Sequence, residues 1–483
     1  MTGHLEKIIN EAKKAKMWII DEREQIRILS HYDADGICSA SIMLKTLVRL
    51  GKDVHLTLVK QLNKKILESL YSEKRSLIIF LDMGSGQIEG IKKHLGSSKV
   101  IICDHHQPGG EADENIIHIN STLAGIDSVA GSGVTYLLSK KIDPKNSDLS
   151  HLAVVGAIGD SQVDAVGFDW GLGGLNKEIL KDAEANGKIL VSKGLRLWGR
   201  YTRPLHKALA YSIEPYIPGI TGSESASIQF LHDIGIPAKS GEEWRTIADL
   251  TPEEQKILAG GIIKERVMAN HENPEYIFGD VYELTDNENE FRDANEFATM
   301  LNACGKMDRA NLGVMLCLNV RSAFAKSRSI FENYRREIGR GVNWIEANIK
   351  NPEFIKEMNG IYVLAGSNIS EHMISNVISI MNHSGLFPEK PVFGLADSED
   401  GIKISARASD PLVAKGIKLN EIMSEISEKL GGEGGGHMAA AAGIIPKERQ
   451  GEFINMTELI LTNIVGGKHG NEEQAQNEGR SGA

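Results

Sequence analysis

Short apolar runs separated by polar segments dominate the first 160 residues of the chain. Residues 26–30, 77–81, 100–103 and 152–158 have the length and composition of buried strands, and each run ends at polar residues or glycine. Residues 37–50 instead repeat their apolar positions with the period of a helix. Strands that alternate with helices predict an open α/β fold with a parallel sheet, in which the strands end at a common edge.

Acidic or imidazole side chains follow each of the four predicted strands. Because the carboxyl ends of parallel strands line one crevice, we expect these side chains to converge. Each aspartate could instead cap a following helix, which is a common use of aspartate. Caps do not require histidine and need not recur at every strand, so a shared ligand site explains the pattern better. The candidate ligands are His31, Asp33, Asp35, Asp82, Asp104, His105, His106 and Asp160.

The mixture of carboxylates with imidazoles indicates which metal the site would bind. Such donors suit Mn²⁺ or Mg²⁺, whereas structural zinc prefers thiolates. The four cysteines lie at positions 38, 103, 304 and 317, and no two of them have Cys-x-x-Cys spacing. A zinc ribbon is therefore excluded, and we expect reduced, unpaired cysteines.

These motifs resemble those of the DHH phosphoesterases: HYDADG at 31–36, Asp82 in FLDMGSG, DHH at 104–106 and GAIGD at 156–160. Residues 431–443 (GGEGGGHMAAAAG), preceded by Ser405 and Arg407, resemble the DHHA1 substrate-binding domain of the RecJ-like branch. Residues 292–305 are similar to archaeal RecJ-like proteins, including the GINS-associated nuclease. The resemblance implies a parallel-sheet DHH metal domain, a helical middle region and a smaller α/β DHHA1 domain across a cleft.

The resemblance also implies roles for the candidate residues. Two ions, Mn²⁺ or Mg²⁺, would share Asp82 as a bridging ligand. Asp104 would accept a hydrogen bond from the ring N–H of a ligand imidazole. His106 would face the scissile phosphate, where its ring could neutralise charge or protonate the leaving oxygen. The other ligands would divide between the ions as His31 with Asp33, and Asp35 with His105 and Asp160.

A second candidate site lies near the carboxyl terminus. Three successive glycines would let the backbone approach phosphate oxygens closely, and a following histidine adds a donor. A tight turn before a helix or strand at 438–442 fits the residues equally well. An arginine two residues after a serine, on a strand of alternating polarity, could bind the same phosphate. With the resemblance, phosphate binding is favoured, and the candidate residues are Ser405, Arg407, Gly434, Gly435, Gly436 and His437.

The charge of the chain argues against binding nucleic acid through overall electrostatics. There are 54 lysine and arginine residues against 65 aspartate and glutamate residues, a net charge of −11. Recognition would then need the metals and a local cationic channel. Residues 194–206 could form it by stacking bases on aromatic rings, or they could be a basic linker with Trp198 packed at a domain boundary. The residues concerned are Arg196, Trp198, Arg200, Tyr201, Arg203 and His206.

The length of 483 residues predicts two or three domains. We assign residues 1–195 to the metal domain, 196–350 to a middle region ending in a long connecting helix, and 351–465 to the second α/β domain. Residues 466–483 are polar and glycine-rich, which predicts a disordered tail. Within the middle region, Thr251, Pro252 and Glu254 have the pattern of a helix start.

The absence of a long apolar stretch predicts a soluble, cytoplasmic protein without membrane association. No stretch reaches the roughly 18 to 20 apolar residues that a spanning helix needs, and the first residues lack a signal-peptide core.

The expected function is that of a single-strand-specific exonuclease in DNA replication or repair, with DNA as the main substrate and RNA as a further one. One alternative is an oligoribonuclease or cyclic-dinucleotide phosphodiesterase. Another is a replisome scaffold with residual nuclease activity. The expected partners are single-stranded nucleic acid and, by resemblance, GINS and the replicative helicase complex.

Overall fold

The computed structural model describes residues 2–126, 128–166, 169–212, 215–270, 273–287, 291–383 and 386–478. The chain divides into two compact units, Met1–Phe331 and Glu332–Ala483. Across these described stretches, no helix is both long enough and apolar enough to cross a bilayer.

A parallel sheet opens the first unit. The elements are α1 (Thr2–Asp21), β1 (Ile26–His31), α2 (Ala34–Arg49), β2 (Val54–Val59), α3 (Lys64–Glu73), β3 (Leu77–Leu81), α4 (Ile88–Leu95), β4 (Lys99–Asp104), β5 (Ile116–Asn120) and α5 (Ser121–Ala124). The five strands are parallel in the order β2-β1-β3-β4-β5, as an α/β fold predicts. The chain passes from β1 to β2 on one side and returns as β3 on the other. The carboxyl ends of β1 and β3 therefore border the topological switch point, where open α/β sheets bind ligands.

In the next segment, one of the predicted strands is a helix. Its elements are α6 (Gly131–Ile142), α7 (Ser150–Gly159), β6 (Val163–Val166), β7 (Asp169–Leu172), α8 (Gly174–Ala185) and β8 (Ile189–Leu195). Residues 152–158, predicted to be a strand, lie in the helix α7. All seven are buried, and α7 packs against α2 and α6. A helix buried on all sides has the same continuous apolar run as a buried strand, so periodicity could not separate them.

The remainder of the first unit is mainly helical. Its elements are α9 (Leu205–Ala210), α10 (Glu224–Asp233), β9 (Lys239–Ser240), β10 (Glu243–Trp244), α11 (Pro252–Met268), β11 (Phe278–Leu284), α12 (Ala294–Lys306), α13 (Ala310–Cys317) and α14 (Arg321–Asn348). The strand β11 joins a four-stranded sheet of order β6-β7-β11-β8, where Phe278 pairs with Leu195. Residues 196–277 therefore leave and rejoin this sheet at neighbouring positions, and they pack around an apolar core largely their own. The boundary between the two units falls within α14.

The second unit is an α/β domain. Its elements are β12 (Ile355–Glu357), β13 (Ile361–Gly366), α15 (Ile374–His383), β14 (Val392–Ser398), β15 (Gly401–Arg407), α16 (Asp410–Ala414), α17 (Leu419–Lys429), β16 (Glu433–Gly436), β17 (Ala440–Ile445) and α18 (Gln450–Glu478). Its mixed sheet has the order β12-β13-β14-β15-β17-β16, and α17 and α18 pack on one face.

The carboxyl-terminal helix α18 continues through Glu478 and so includes residues 466–478 of the predicted tail. Residues 479–483 lie outside the described residues. Disorder of this tail stays a prediction.

Candidate metal centre

The turn between β1 and α2 supplies His31 and Asp33. Asp33 caps α2, because its Oδ1 accepts a hydrogen bond from Gly36 N (2.9 Å). Its Oδ2 lies 2.9 Å from His31 Nδ1. A Cβ on Gly36 would lie 2.2 Å from His31 O, so this turn requires glycine at position 36. The capping role considered for this aspartate therefore coexists with a place among the candidate ligands.

Asp35 is buried in the first turn of α2. Its two carboxylate oxygens accept hydrogen bonds from Gly131 N (2.7 Å) and Ser132 N (3.0 Å), at the start of α6. Burial, followed by the nearby carboxylates of Asp82 and Asp160, raises the pKa of Asp35 well above its ordinary value. The two backbone hydrogen bonds and the nearby His105 therefore do not fully offset the cost of burying this negative charge.

Asp82 lies at the centre of the cluster, directly after β3, and is buried. Its Oδ2 is 3.5 Å from His31 Nδ1, and its Oδ1 is 3.4 Å from His105 Nε2. Both Asp82 Oδ1 and His105 Nε2 are buried, and neither has a hydrogen-bond partner among the described residues. Buried polar atoms without partners are costly, so these two atoms are suited to a ligand.

Asp104, the last residue of β4, orders the loop that follows. Its Oδ1 accepts hydrogen bonds from His106 Nδ1 (2.7 Å) and from His105 N (2.8 Å). The imidazole ring that Asp104 contacts is that of His106 and not that of His105. Consecutive side chains in this non-helical loop point in different directions, so His105 turns to Asp82 and leaves His106 beside Asp104. The hydrogen bond to Asp104 raises the pKa of His106.

Asp160 reaches the cluster from the carboxyl end of α7 instead of a strand. Its Oδ2 is 3.6 Å from His105 Nε2. Burial, followed by repulsion from Asp82, raises the pKa of Asp160 to about 6. Although burial lowers the pKa of His105, its close contact with the Asp82 carboxylate and the charge of Asp35 raise that pKa to about 10.

The donor atoms form overlapping groups that fit divalent cations. In each group they lie within 4.8 Å of one another, and Asp82 and His105 each belong to two groups. Oxygen donors with a few imidazoles suit Mn²⁺ or Mg²⁺, and a cation would offset the mutual repulsion of the carboxylates. The groups are His31, Asp33 and Asp82; Asp35, His105 and Asp160; and Asp82, Asp104, His105 and His106.

Three amide side chains that the sequence pattern did not reveal support the candidate ligands. Gln162 Nε2 donates to Asp160 Oδ2 (2.8 Å), and Gln162 Oε1 accepts from Asn176 Nδ2 (2.7 Å). Asn302 Oδ1, on α12, accepts from Ala34 N (2.9 Å) at the start of α2. Gln162 is only two residues beyond Asp160, whereas Asn302 reaches the site from a distant element and carries no local signal.

In the second unit, Ser405 and Arg407 lie on one face of β15. Arg407 Nη1 donates to Ala406 O (2.8 Å) and is 3.4 Å from Ser405 Oγ. Burial lowers the pKa of the Arg407 guanidinium. Ser405 pairs with Ala442 of β17, which pairs with Gly435 of β16. These three small residues therefore form one row across the sheet, about 10 Å long.

The glycine segment forms the edge strand β16, and its role in phosphate binding stays a prediction. Gly434, Gly435 and Gly436 pair with β17 at the edge of the sheet. The tight turn considered as the alternative follows them, where His437 N donates to Ala440 O (2.8 Å). A Cβ on Gly434 would lie 2.4 Å from Met423 O of α17, so helix packing accounts for that glycine. Space beside Gly435 is open, and His437 is exposed.

The aromatic residues of segment 194–206 make packing contacts, as the linker alternative expects. Trp198 Nε1 donates to Thr299 Oγ1 (3.1 Å), and Tyr201 OH donates to Glu283 Oε1 (2.7 Å). The Arg203 guanidinium stacks 3.9 Å from the centre of the Trp198 ring. The Arg203 guanidinium therefore covers one face of the Trp198 ring, which base stacking would otherwise use. The other residues of the segment are half-buried or buried: Arg196, Arg200 and His206.

Three family models match the chain. The model of the DHH family, N-terminal domain, matches residues 25–159, the DHH-CID domain matches 197–276, and the DHHA1 domain matches 358–463. An uncharacterized protein of Methanocaldococcus jannaschii is 32% identical over 470 residues, which cover 95% of this chain and 99% of that protein. The single-stranded-DNA-specific exonuclease RecJ of Bacillus subtilis is 33% identical over 154 residues, 29% of this chain and 20% of that protein.

Two solved structures share the fold. RecJ of Thermus thermophilus in complex with Mn²⁺ superposes with a TM-score of 0.58 at 18% identity, over 95% of this chain and 55% of that chain. CDC45 of Entamoeba histolytica superposes with a TM-score of 0.61 at 12% identity, over 95% of this chain and 98% of that chain. The present chain thus spans about half the length of the Thermus RecJ.

The parallel sheet and the carboxylate–imidazole cluster at its switch point define a phosphoesterase of the DHH superfamily, whose members are generally metal-dependent hydrolases. The chain belongs to the DHH family, as a RecJ-like member that also has DHH-CID and DHHA1 domains.

Proposed function

We propose that this protein is a single-strand-specific exonuclease that hydrolyses phosphodiester bonds with two Mn²⁺ or Mg²⁺ ions. DNA is the proposed substrate, and RNA is a second substrate to be tested. The observation that carries the proposal is the position of Asp82 between two groups of donor atoms, with one carboxylate oxygen buried and unpartnered among the described residues. The partial relationship to the RecJ exonuclease of Bacillus subtilis supports this substrate class.

The proposed chemistry assigns roles to the residues of the centre. When bound, two divalent ions would supply Lewis-acid stabilisation of the phosphate and would lower the pKa of an attacking water. Asp82 would bridge the ions. Asp104 orients the His106 ring through Nδ1 and raises the pKa of His106. His106 would then remain protonated closer to neutral pH and donate a proton from Nε2 to the leaving oxygen. His31 and Asp33 would hold one ion, and Asp35, His105 and Asp160 the other.

The second unit would bind phosphates of the strand away from the scissile bond. Arg407 carries a charge beside the row formed by Ser405, Ala442 and Gly435, in which Ser405 is buried and the space beside Gly435 is open. A sugar-phosphate backbone would lie at the Gly435 end of this row, and the guanidinium can bind a phosphate with two parallel hydrogen bonds. Gly434, Gly436 and His437 belong to the same proposed substrate-binding segment.

The test uses oligonucleotides labelled at either end, in single-stranded and duplex form, incubated with the full chain and Mn²⁺. We expect stepwise shortening of the single strand and little hydrolysis of the duplex. Asp82→Asn should abolish hydrolysis with both Mn²⁺ and Mg²⁺ while circular dichroism stays native. Turnover of the Asp82→Asn variant above a few per cent of the parent rate would exclude the bridging role. Hydrolysis of dinucleotides or cyclic dinucleotides alone would identify a small-substrate phosphodiesterase instead.

A binding role in the replication machinery is a second proposal, and it can coexist with nuclease activity. The likeness to CDC45 concerns the fold, whereas residues 292–305 resemble the GINS-associated nuclease. Every candidate ligand is present in this chain, so a purely structural role does not follow. Size-exclusion chromatography of the full chain with purified GINS tests the partner, and separate elution of the two would contradict it.

A further inference from the structure

The ring of His106 is held at one nitrogen only. Its side chain is 56% exposed, and Nδ1 contacts Asp104 Oδ1 at 2.7 Å. A carboxylate only accepts hydrogen bonds, so Nδ1 carries the hydrogen and Nε2 is the nitrogen that faces outward. The direction of Nε2 depends on the loop backbone as well as on Asp104, because rotation of the loop would move the whole ring.

Asn120 holds the loop backbone from the neighbouring strand. It is the last residue of β5, it is buried, and it pairs in register with Asp104. Its Nδ2 donates to His106 O (2.9 Å) and to Ser85 Oγ (2.8 Å). Its Oδ1 accepts from Leu123 N (3.0 Å) and caps α5. Both hydrogens of the amide are therefore used, one of them on His106 itself.

Ser85 closes this arrangement into a ring of hydrogen bonds. Ser85 N donates to Asp104 Oδ2 (3.0 Å), while Ser85 Oγ contacts His118 Nε2 (2.8 Å) and accepts from Asn120. Asn120, His106, Asp104 and Ser85 are thus linked in a closed circuit that is buried except at the His106 ring. Buried networks in which every member is satisfied specify one geometry.

The backbone of His105, the candidate metal ligand next to His106, is held by a different hydrogen bond. The carbonyl of His105 accepts a hydrogen bond from Thr122 Oγ1 (2.7 Å). Loss of the Asn120 amide therefore frees the backbone at His106 while the backbone at His105 remains bonded. The consequence should fall on His106 and spare the candidate metal ligands.

We propose that Asn120 is a positioning residue that fixes the direction of the His106 ring for proton transfer. This inference rests on the proposed hydrolysis. Asn120 ends the buried strand β5, which was not among the four strands predicted from the sequence.

A double-mutant cycle in the full chain tests the proposal. Asn120→Leu should lower kcat for a single-stranded oligonucleotide about tenfold, with Mn²⁺ affinity from titration calorimetry unchanged. In the His106→Ala background the same substitution should change kcat by less than about twofold, because its effect requires the imidazole. An equal loss in both backgrounds would mean a merely structural role and would overturn the proposal.

Two further variants separate the effect of the hydrogen bond at His106 from the effect of the one at His105. Thr122→Val, in α5, is the matched control that removes the hydrogen bond to the neighbouring backbone position, and it should weaken Mn²⁺ binding through His105. If Asn120→Leu does not fold, Asn120→Ser takes its place in the cycle, since serine still caps α5 but is too short to reach His106 O.

A measurement that does not depend on hydrolysis distinguishes failure of this inference from failure of the proposed function. Long-range ¹H–¹⁵N spectra of the metal-free protein at one pH should show His106 as a single Nδ1–H state in the parent and a mixture in Asn120→Leu. Unchanged His106 signals would overturn the inference. A parent chain that hydrolyses no nucleic acid, yet shows this spectral change, would overturn the proposed function alone.

Discussion

Asp82 adopts a left-handed backbone conformation with φ of 54°. Aspartate and asparagine tolerate this region better than most other residues, because their short polar side chains can hydrogen-bond locally. Its amide N–H remains bonded to Cys103 O (2.8 Å), so the conformation does not cost the sheet a hydrogen bond. Asp82→Asn keeps the backbone preference and removes only the charge. Loss of activity in that variant would therefore report the missing ligand and not a distorted strand end.

His105 and His106 should respond differently to removal of the imidazole. His105→Ala should weaken Mn²⁺ binding about tenfold or more, because His105 Nε2 faces Asp82 and Asp160. His106→Ala should leave Mn²⁺ binding nearly intact and lower turnover, since its ring contacts Asp104 and is largely exposed. Titration calorimetry beside kcat measurements checks the division. Equal loss of Mn²⁺ affinity in both variants would refute it.

Asp160 predicts an unusual pH dependence of stability in metal-free protein. The pKa of Asp160 is raised from 3.8 to about 6. The folded chain therefore binds this proton more tightly than the unfolded chain, and the resulting stability is present below about pH 4 and lost as the pH rises through about 6. Asp160→Asn should stabilise the metal-free protein by about 1 to 3 kcal/mol at pH 7 and have little effect at pH 4. Urea unfolding in a chelator at both pH values measures this difference.

Asp148 supplies a control, because its pKa is shifted in the opposite direction to that of Asp160. Its hydrogen bonds with Arg49 lower the pKa of Asp148. Asp148→Asn should therefore destabilise the metal-free protein at pH 7, with a smaller loss at low pH. If Asp160→Asn instead destabilises the protein at pH 7, as Asp148→Asn is expected to, then burial and repulsion from the neighbouring carboxylates do not dominate the electrostatics of Asp160.

Among the elements, α7 shows where sequence patterns stop being informative. Three of the four predicted strands are strands of the first sheet, and each ends where the polar residues begin. The fourth is a helix, yet it still brings Asp160 to the same cluster. Convergence depends on where an element ends and not on its type. The sequence could therefore indicate the cluster while mistaking one element that forms it.

Local signals were reliable where side chains bond to nearby backbone. Thr251 and Glu254 form both hydrogen bonds of the predicted capping box, and α11 begins at Pro252 as predicted. The sequence contained no sign of the constraint on Gly434, because that constraint is remote and comes from the backbone of α17. Such contacts between distant segments have no signature within a short window of sequence.

The helix α12 is expected to affect the metal centre through Asn302. Its bond to Ala34 N fixes the start of α2, which lies between the candidate ligands Asp33 and Asp35. Asn302→Leu should weaken Mn²⁺ binding about tenfold and cost about 1 kcal/mol of stability. Calorimetric titration and thermal unfolding measure the two effects.

Thr299→Val is the matched control on the same helix. It removes the hydroxyl that accepts the bond from Trp198 Nε1, away from the candidate ligands. A similar loss of stability without a change in Mn²⁺ affinity is expected. If both variants weaken Mn²⁺ binding alike, α12 acts through general packing and the bond to Ala34 has no special role.

For the whole molecule, the role of the second unit can be tested through substrate length. A charge-assisted contact between Arg407 and a phosphate remote from the cut is worth about 1.5 to 3 kcal/mol. Arg407→Ala should therefore slow hydrolysis of an oligonucleotide about tenfold or more. Cleavage of a small chromogenic phosphodiester, which occupies only the metal centre, should barely change. Initial rates with both substrates provide the comparison.

Lys447→Ala provides the control for loss of a positive charge in the same unit. Lys447 is exposed and pairs with Asp397 (3.1 Å), and neither substrate should be affected by its removal. Equal slowing of both substrates by Arg407→Ala would assign Arg407 to folding or to the metal centre, not to strand binding.

Because Leu195 at the end of β8 pairs with Phe278 at the start of β11, residues 196–277 are inserted between two neighbouring strands. Paired residues of antiparallel strands lie about 4.5 to 5.5 Å apart, so a two-residue hairpin turn could join β8 to β11 directly. Every candidate metal ligand lies between residues 31 and 160, outside this segment. A lineage can therefore acquire, exchange or discard the segment while the ligand-bearing elements keep their connections. The segment can then change at a different rate from the elements that carry the candidate metal centre.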